Sequence, residues 1–390
     1  MMFMKSIKAS PNGLVAAVLL AFLATAGLFY VNIIAAIVDG LVEGLGISEK
    51  QAGQISSANI YGAAIGALIS VTLVKRLPWK PLAVICLLSL ITIDTLSIWI
   101  QTYSTMLPVR LFHGVIGGIL TGTAFAVIAR TARPDRAFGM LLFVQFGLGG
   151  IAYYTLPPLA PLYGTMGLFC ALVLFAVVTL IMVPFLDAYK VTQTQEKKDS
   201  QIKWRPFLFT MAAIFLFQAA NMGLFAYIFR LGLYYDLDRA FMSKTLFLAT
   251  WVALIGPLLV MVLGERFGRF WLMLAAMILT LIGTAIFHLS AQPWAYFLAN
   301  CATGITWGFV IAYLLGMSAE FDKSGRATAF AGFVSKIGLA SGPLIASSIV
   351  ETKLGYPGVL NIALIGFVIS MIIMLVPAYI LDKTRTGKLA

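Results

Sequence analysis

Residues 66–76 read Gly-Ala-Leu-Ile-Ser-Val-Thr-Leu-Val-Lys-Arg, and residues 256–266 read Gly-Pro-Leu-Leu-Val-Met-Val-Leu-Gly-Glu-Arg. Gly66, Leu73 and Arg76 therefore recur 190 positions later as Gly256, Leu263 and Arg266. The same offset aligns Gly114 with Gly304, Gly118 with Gly308, Arg136 with Arg326, and Phe143-Val144 with Phe333-Val334. Scattered Leu or Gly matches mean little in an apolar chain. Two arginines at loop positions in one ungapped register mean more, and they mark two related halves.

The sequence around the repeat is apolar throughout. Of 390 residues, 61% are hydrophobic and 11% charged, with a mean hydropathy of +0.97. Soluble domains do not reach such values. A bilayer span needs roughly 20 apolar residues, and twelve stretches qualify. They lie at about 14–38, 51–74, 82–101, 106–129, 138–160, 166–186, 206–231, 242–264, 270–290, 294–318, 328–349 and 358–381. The fold class expected is an all-α polytopic membrane protein, with twelve transmembrane helices in two pseudo-symmetric six-helix bundles. The bundles are 1–186 and 206–390, and 187–205 is the linker, because its run Gln193-Thr194-Gln195-Glu196-Lys197-Lys198-Asp199-Ser200 cannot bury a core. Lys5, Lys8 and Ala24-Thr25-Ala26 imitate a secretory leader. Apolar character continues to Val38, however, and the twofold layout requires the span, so it is read as a retained helix.

Charge sets the orientation. With the N-terminus in the cytoplasm, twenty Lys and Arg fall in inner segments and four (Lys50, Arg239, Lys244, Lys353) in outer loops. That positive-inside bias predicts cytoplasmic termini and a cytoplasmic linker in a plasma (inner) membrane protein. The net charge of +12 is a topology signal directed at lipid headgroups and calls for no nucleic acid. Cys86, Cys170 and Cys301 fall inside spans without metal-type spacing and read as packing residues.

After the eighth span the chain reads Leu263-Gly264-Glu265-Arg266-Phe267-Gly268-Arg269. This resembles the signature loop of the major facilitator superfamily, Gly-x-Leu-x-Asp-Arg-x-Gly-Arg-Lys. A Gly turn at a helix end lets an acid face a helix N-terminus while the arginines tie to acids at the cytoplasmic rim. The first-half loop, Leu73-Val74-Lys75-Arg76-Leu77-Pro78-Trp79-Lys80, keeps Leu73, Arg76 and Lys80 but has Lys75 for the acid and Pro78 for the Gly. Arg110-Leu111-Phe112-His113-Gly114-Val115-Ile116-Gly117 is similar to the family's Arg-x-x-Gln-Gly-x-Gly element, with His113 for Gln. The fifth span, with Gly147, Gly149, Gly150, Pro157 and Pro158, resembles the exporters' Gly-Pro-x-x-Gly-Gly element only loosely, since Ala160-Pro161 close it. The resemblance implies a cofactor-free, monomeric transporter that works by alternating access. It also implies an inner-side gate at Glu265, Arg266, Gly268, Arg269 and Arg76.

A charge inside a span costs at least about 2.5–3.5 kcal/mol and demands a reason. At 1.5 Å rise per residue, Asp94 lies about 10 Å from the outer end of the third span. Arg110 and His113 lie about 6 and 10 Å into the fourth. Adjacent helices can thus bring Asp94 to Arg110 or His113, either as a structural ion pair or as a proton-coupling switch. Lys336 lies about 14 Å into the eleventh span, near mid-bilayer, on a face with Ser335, Gly338, Ser341 and Gly342. No second-half span carries a central acid to neutralise it, so an anionic substrate is the natural partner, and a structural pair with a first-half acid is the alternative. Tyr30, Asn32, Gln218, Asn221, Asn300, Thr303 and Trp307 form a second tier of substrate-binding candidates, on helices that the family resemblance assigns to the central cavity. Each also suits ordinary interhelical hydrogen bonding. Asp39, Arg230 and His288 are expected at outer helix ends. No phosphate-cradling Gly-x-x-x-x-Gly-Lys-Ser/Thr element occurs, and two His without a soluble lobe give poor support to an enzyme. The reading is proton-coupled secondary transport of a small organic anion. The alternatives are proton-driven efflux of drugs or metabolites and, more distantly, a lipid flippase or membrane-embedded enzyme.

Overall fold

The computed structural model describes residues 8–189, 204–264, 266–321 and 326–386. Contacts divide the chain into two compact units, Met1–Thr194 and Gln195–Ala390. The first holds α1 (Leu14–Asn32), α2 (Ile34–Leu45), α3 (Glu49–Arg76), α4 (Trp79–Ser97), α5 (Tyr103–Ile128), α6 (Pro134–Tyr163) and α7 (Thr165–Met182). The second holds α8 (Trp204–Ala226), α9 (Ile228–Tyr234), α10 (Arg239–Val252), α11 (Ile255–Leu263), α12 (Arg269–Ile286), α13 (Pro293–Glu320), α14 (Arg326–Val350) and α15 (Gly355–Thr386). Among the described residues, twelve spans are long and apolar enough to cross a membrane. Large apolar side chains such as Leu174, Met261 and Ile372 are exposed on the helices, which lipid tolerates and water does not.

Three expected spans are interrupted. The first is two helices that meet at Ile33 and continue to Leu45, beyond the expected end at 38. At the break, the Tyr153 hydroxyl donates to the Asn32 carbonyl at 2.8 Å, a side chain inserted into the helical ladder. Because α2 runs on, Asp39 is fully buried within it, which corrects its expected place at a solvated helix end. The seventh span breaks at Tyr227, where the Tyr296 hydroxyl donates to the Ile228 carbonyl at 3.0 Å. The eighth breaks between α10 and α11 just before Pro257, whose ring supplies no N–H and crowds the preceding turn. By contrast, α3 starts cleanly. Ser48 accepts from the Gln51 amide at 3.3 Å while the Gln51 side chain accepts from the Ser48 amide at 3.2 Å, a reciprocal cap.

The repeat glycines lie where helices cross. A methyl group at Gly66, Gly114 or Gly118 would run into the backbone carbonyls of Val115, Asn59 and Ala63 respectively, so α3 and α5 touch main chain to main chain. In the second unit a methyl at Gly256 would strike the Ile305 carbonyl, and one at Gly308 would come within 2.8 Å of the Pro257 ring. Small residues permit such close approach in lipid, where packing takes over from the hydrophobic effect.

Candidate functional site

The α3–α5 crossing and the short α4–α5 connection build one buried cluster. Arg110 is 0% and Asp94 2% exposed, and Arg110 Nη1 donates to Asp94 Oδ1 at 2.7 Å. Arg110 Nη2 donates to Ser97 Oγ, one turn beyond Asp94. His113 Nε2 lies 3.3 Å from Asp94 Oδ2. Asn59 of α3 directs its amide nitrogen to the Arg110 carbonyl at 3.0 Å and to His113 Nδ1 at 2.8 Å. The guanidinium sits 4.8 Å from the Phe169 ring centre and 5.9 Å from that of Tyr30, where aromatic faces favour a cation. The structure thus brings Asp94, Arg110 and His113 together. It also adds Tyr30, expected with the substrate set, and Asn59, Ser97 and Phe169, which the sequence reading missed. Arg110 Nε makes no hydrogen bond among the described residues. Asn32 belongs elsewhere: its Oδ1 accepts from Gln145 of α6 at 2.5 Å, while its own buried amide nitrogen makes no hydrogen bond among the described residues.

In the second unit, Trp307 Nε1 of α13 donates to Gln218 Oε1 of α8 at 2.9 Å. Gln218 Nε2 donates in turn to Ser335 Oγ of α14 at 2.8 Å. Gly338 and Gly342 let α14 lie against α8, since a methyl on either would meet α8 backbone around Phe215 and Ala219. Lys336 follows Ser335 and is half-buried, and no acid pairs with it among the described residues. Asn300 and Thr303 turn back to their own helix, bonding the Tyr296 and Ala299 carbonyls at 2.8 Å each, and stay outside this chain of bonds. Asn221 is half-buried and makes no side-chain hydrogen bond among the described residues.

The loop expected to gate is held at the start of α12. Asp382 of α15 accepts from the backbone amides of Arg269 at 3.0 Å and Phe270 at 2.9 Å, one carboxylate oxygen each. A carboxylate there offsets the positive helix end. Arg269 pairs with Glu320 at 3.0 Å. Gly268 has φ +73° and a methyl there would sit 2.8 Å from Asp382, so the position needs glycine twice over. Glu265 lies outside the described residues. Arg266 and Arg76 are exposed and unpaired among the described residues. At the corresponding end of the first unit, Trp79 Nε1 donates to the Ala188 carbonyl at 2.7 Å. Arg130 reaches the Tyr189 carbonyl at 3.3 Å, and the Tyr189 hydroxyl donates to the Pro11 carbonyl at 2.9 Å. Burial, aided by the Asp187 charge, pushes the Tyr189 phenol up to about 12, so it serves as a neutral donor.

Two helical units of one repeat, with twelve spans among the described residues long and apolar enough to cross a membrane, have the architecture of a multi-pass membrane protein. The Major Facilitator Superfamily model matches residues 17–259, and the chain belongs to that family, whose members transport by alternating access. The chain is also similar to solved structures. One is a mutant form of the nucleoside transporter NupG (TM-score 0.72, 15% identity, covering 93% of this chain and 98% of that one). Another is a D-xylose-proton symporter (TM-score 0.69, 14% identity, 92% and 96%). At such identities the likeness is one of fold. No curated protein matched the chain.

Proposed function

We propose that the chain moves small carboxylate-like organic anions across the plasma membrane in exchange or symport with protons. The carrying observation is the direction of the hydrogen bonds beside Lys336. An indole N–H only donates, so Gln218 Oε1 must accept and Gln218 Nε2 must donate. Ser335 Oγ accepts that bond and makes no other among the described residues, which leaves its hydrogen to give away. Beside it, the ammonium of Lys336 offers three donors and no acceptor. Four N–H and O–H donors side by side suit an oxyanion, and a cation at span depth with no acid paired to it among the described residues gains most from one. Asp94, with Arg110 and His113, is the proton-exchanging cluster in this reading. Residues 187–205 form a cytoplasmic linker between units that work as a monomer, and Arg269 and Gly268 belong to an inner-side latch. Both termini are cytoplasmic in the same reading, on the strength of the charge bias.

Proteoliposome uptake across a panel of organic acids, with and without a pH gradient, tests the proposal. At least one carboxylate should accumulate, faster with the gradient. Transport of apolar cations with no response to any acid would replace this reading with efflux.

A further inference from the structure

The buried cluster constrains its own protons. His113 Nε2 faces Asp94 Oδ2 at 3.3 Å, and a carboxylate oxygen there calls for an N–H on that nitrogen. On the other side of the ring, Nδ1 faces the Asn59 amide nitrogen at 2.8 Å. An NH2 group only donates, so Nδ1 must present its lone pair. Reversing the Asn59 amide would suit an Nδ1–H, but its other contact opposes it. Its oxygen would then face the Arg110 carbonyl, which lies 3.0 Å from the present nitrogen and cannot donate. The two sides of the imidazole therefore select one form independently. The helix crossing fixes this arrangement, because Gly114, beside His113, brings the Asn59 backbone into contact.

We propose that Asn59 is a positioning residue that holds His113 neutral with its proton on Nε2, leaving the Asp94 carboxylate as the group that takes up a proton. The ionisable groups facing His113 are Asp94 from α4, Arg110 from its own helix, and Tyr30 from α1, whose ring centre is 5.7 Å away. The residue facing it from α3 is the uncharged Asn59. With His113 neutral, the negative Asp94 and positive Arg110 cancel. One proton adds the same positive charge to the cluster on either group, but on the ring it would also break the Asn59 bond, which a proton on Asp94 leaves intact. A proton on Asp94 instead releases Arg110 from its pair. This step rests on the proton coupling proposed above; the state of the ring does not.

The protein has two histidines, His113 and His288, so His288→Gln leaves one imidazole to observe. The 15N spectrum of histidine-labelled His288→Gln protein at neutral pH should show Nε2 protonated and Nδ1 bare. An Nδ1–H signal in that protein would overturn the proposal, whether from the other tautomer or from imidazolium. In the added variant Asn59→Asp, an acceptor replaces the donor, so Nδ1 should become protonated. Uptake by that variant should show a pH profile displaced toward higher pH. Unchanged ring signals in a folded Asn59→Asp protein would also overturn it. The native spectrum decides the matter even if that variant does not fold. The expected ring form together with pH-independent uptake would uphold the role of Asn59 and remove proton coupling from the proposed function.

Discussion

Where the first half has Asn59, Asp94, Arg110 and His113, the second has Ala249, Thr284, Asn300 and Thr303 at the same offset. Both halves cross their helices on the same glycines, and both tie their first span to their fifth with a side-chain bond. That bond is Gln145 to Asn32 at 2.5 Å in one half and Gln218 to Ser335 at 2.8 Å in the other. The first half carries a compensated charge cluster at its crossing, and the second carries neutral residues, of which Asn300 and Thr303 bond to their own helix. The second half has Lys336 where the first has Phe146. The inner rim diverges in the same way. Gly268, Arg269 and Glu320 correspond to Pro78, Trp79 and Arg130, so an acid-capped helix start in one half becomes an indole bonded to the Ala188 carbonyl in the other. Small residues therefore specify the shared backbone, and the charges within the spans were placed on each half separately.

The largest expected effect tests the shared crossing. Gly114→Leu should abolish the yield of monodisperse protein, because a single methyl already strikes the Asn59 carbonyl. Gly304→Ala should be tolerated, since its new methyl would meet only the Ala253 methyl at 3.1 Å. Equal tolerance at both sites would break the comparison.

Next comes the charge cluster. Asp94→Asn or Arg110→Gln alone should destabilise by roughly 3–5 kcal/mol, since each strands a buried partner. The double variant should cost less than their sum in thermal unfolding, and strict additivity would show that the two do not act as a pair. Thr284→Val, at the second-half counterpart of Asp94, should be near neutral, because the buried Thr284 hydroxyl makes no hydrogen bond among the described residues.

The rim gives smaller effects. Gly268→Ala should cost about 1–3 kcal/mol from a left-handed backbone crowded by Asp382, and should slow transport more than it weakens binding. Trp79→Phe removes one hydrogen bond and should cost about 1 kcal/mol. A larger loss there than at Gly268 would reverse the assignment of the latch to the second half.

The spans, the repeat and the charge bias were legible because hydropathy and a fixed offset survive without knowledge of packing. The meeting of Asp94, Arg110 and His113 was legible from helical rise and a short connection. Asn59 and Ser97 were not, since an uncharged polar residue in a span is common and gains meaning only from what crosses it. A signal was present all the same. Gly62 and Gly66, read against Gly114 and Gly118, mark a close crossing that sets Asn59 beside His113. Asp382 and Glu320 were missed because their partners at α12 are distant in sequence. Asp39 was misplaced because nothing in the hydropathy announces that α2 continues to Leu45.

The division between the halves rests on Lys336. Substitution by Gln keeps most of the side-chain length and removes the charge, at a half-buried position with no acid to strand among the described residues. The direct measurement is thermal stabilisation of purified Lys336→Gln by the carboxylate that the native protein transports. The account predicts a well-folded variant whose melting temperature no longer responds to that anion. A folded Lys336→Gln protein stabilised as strongly as the native one would contradict it.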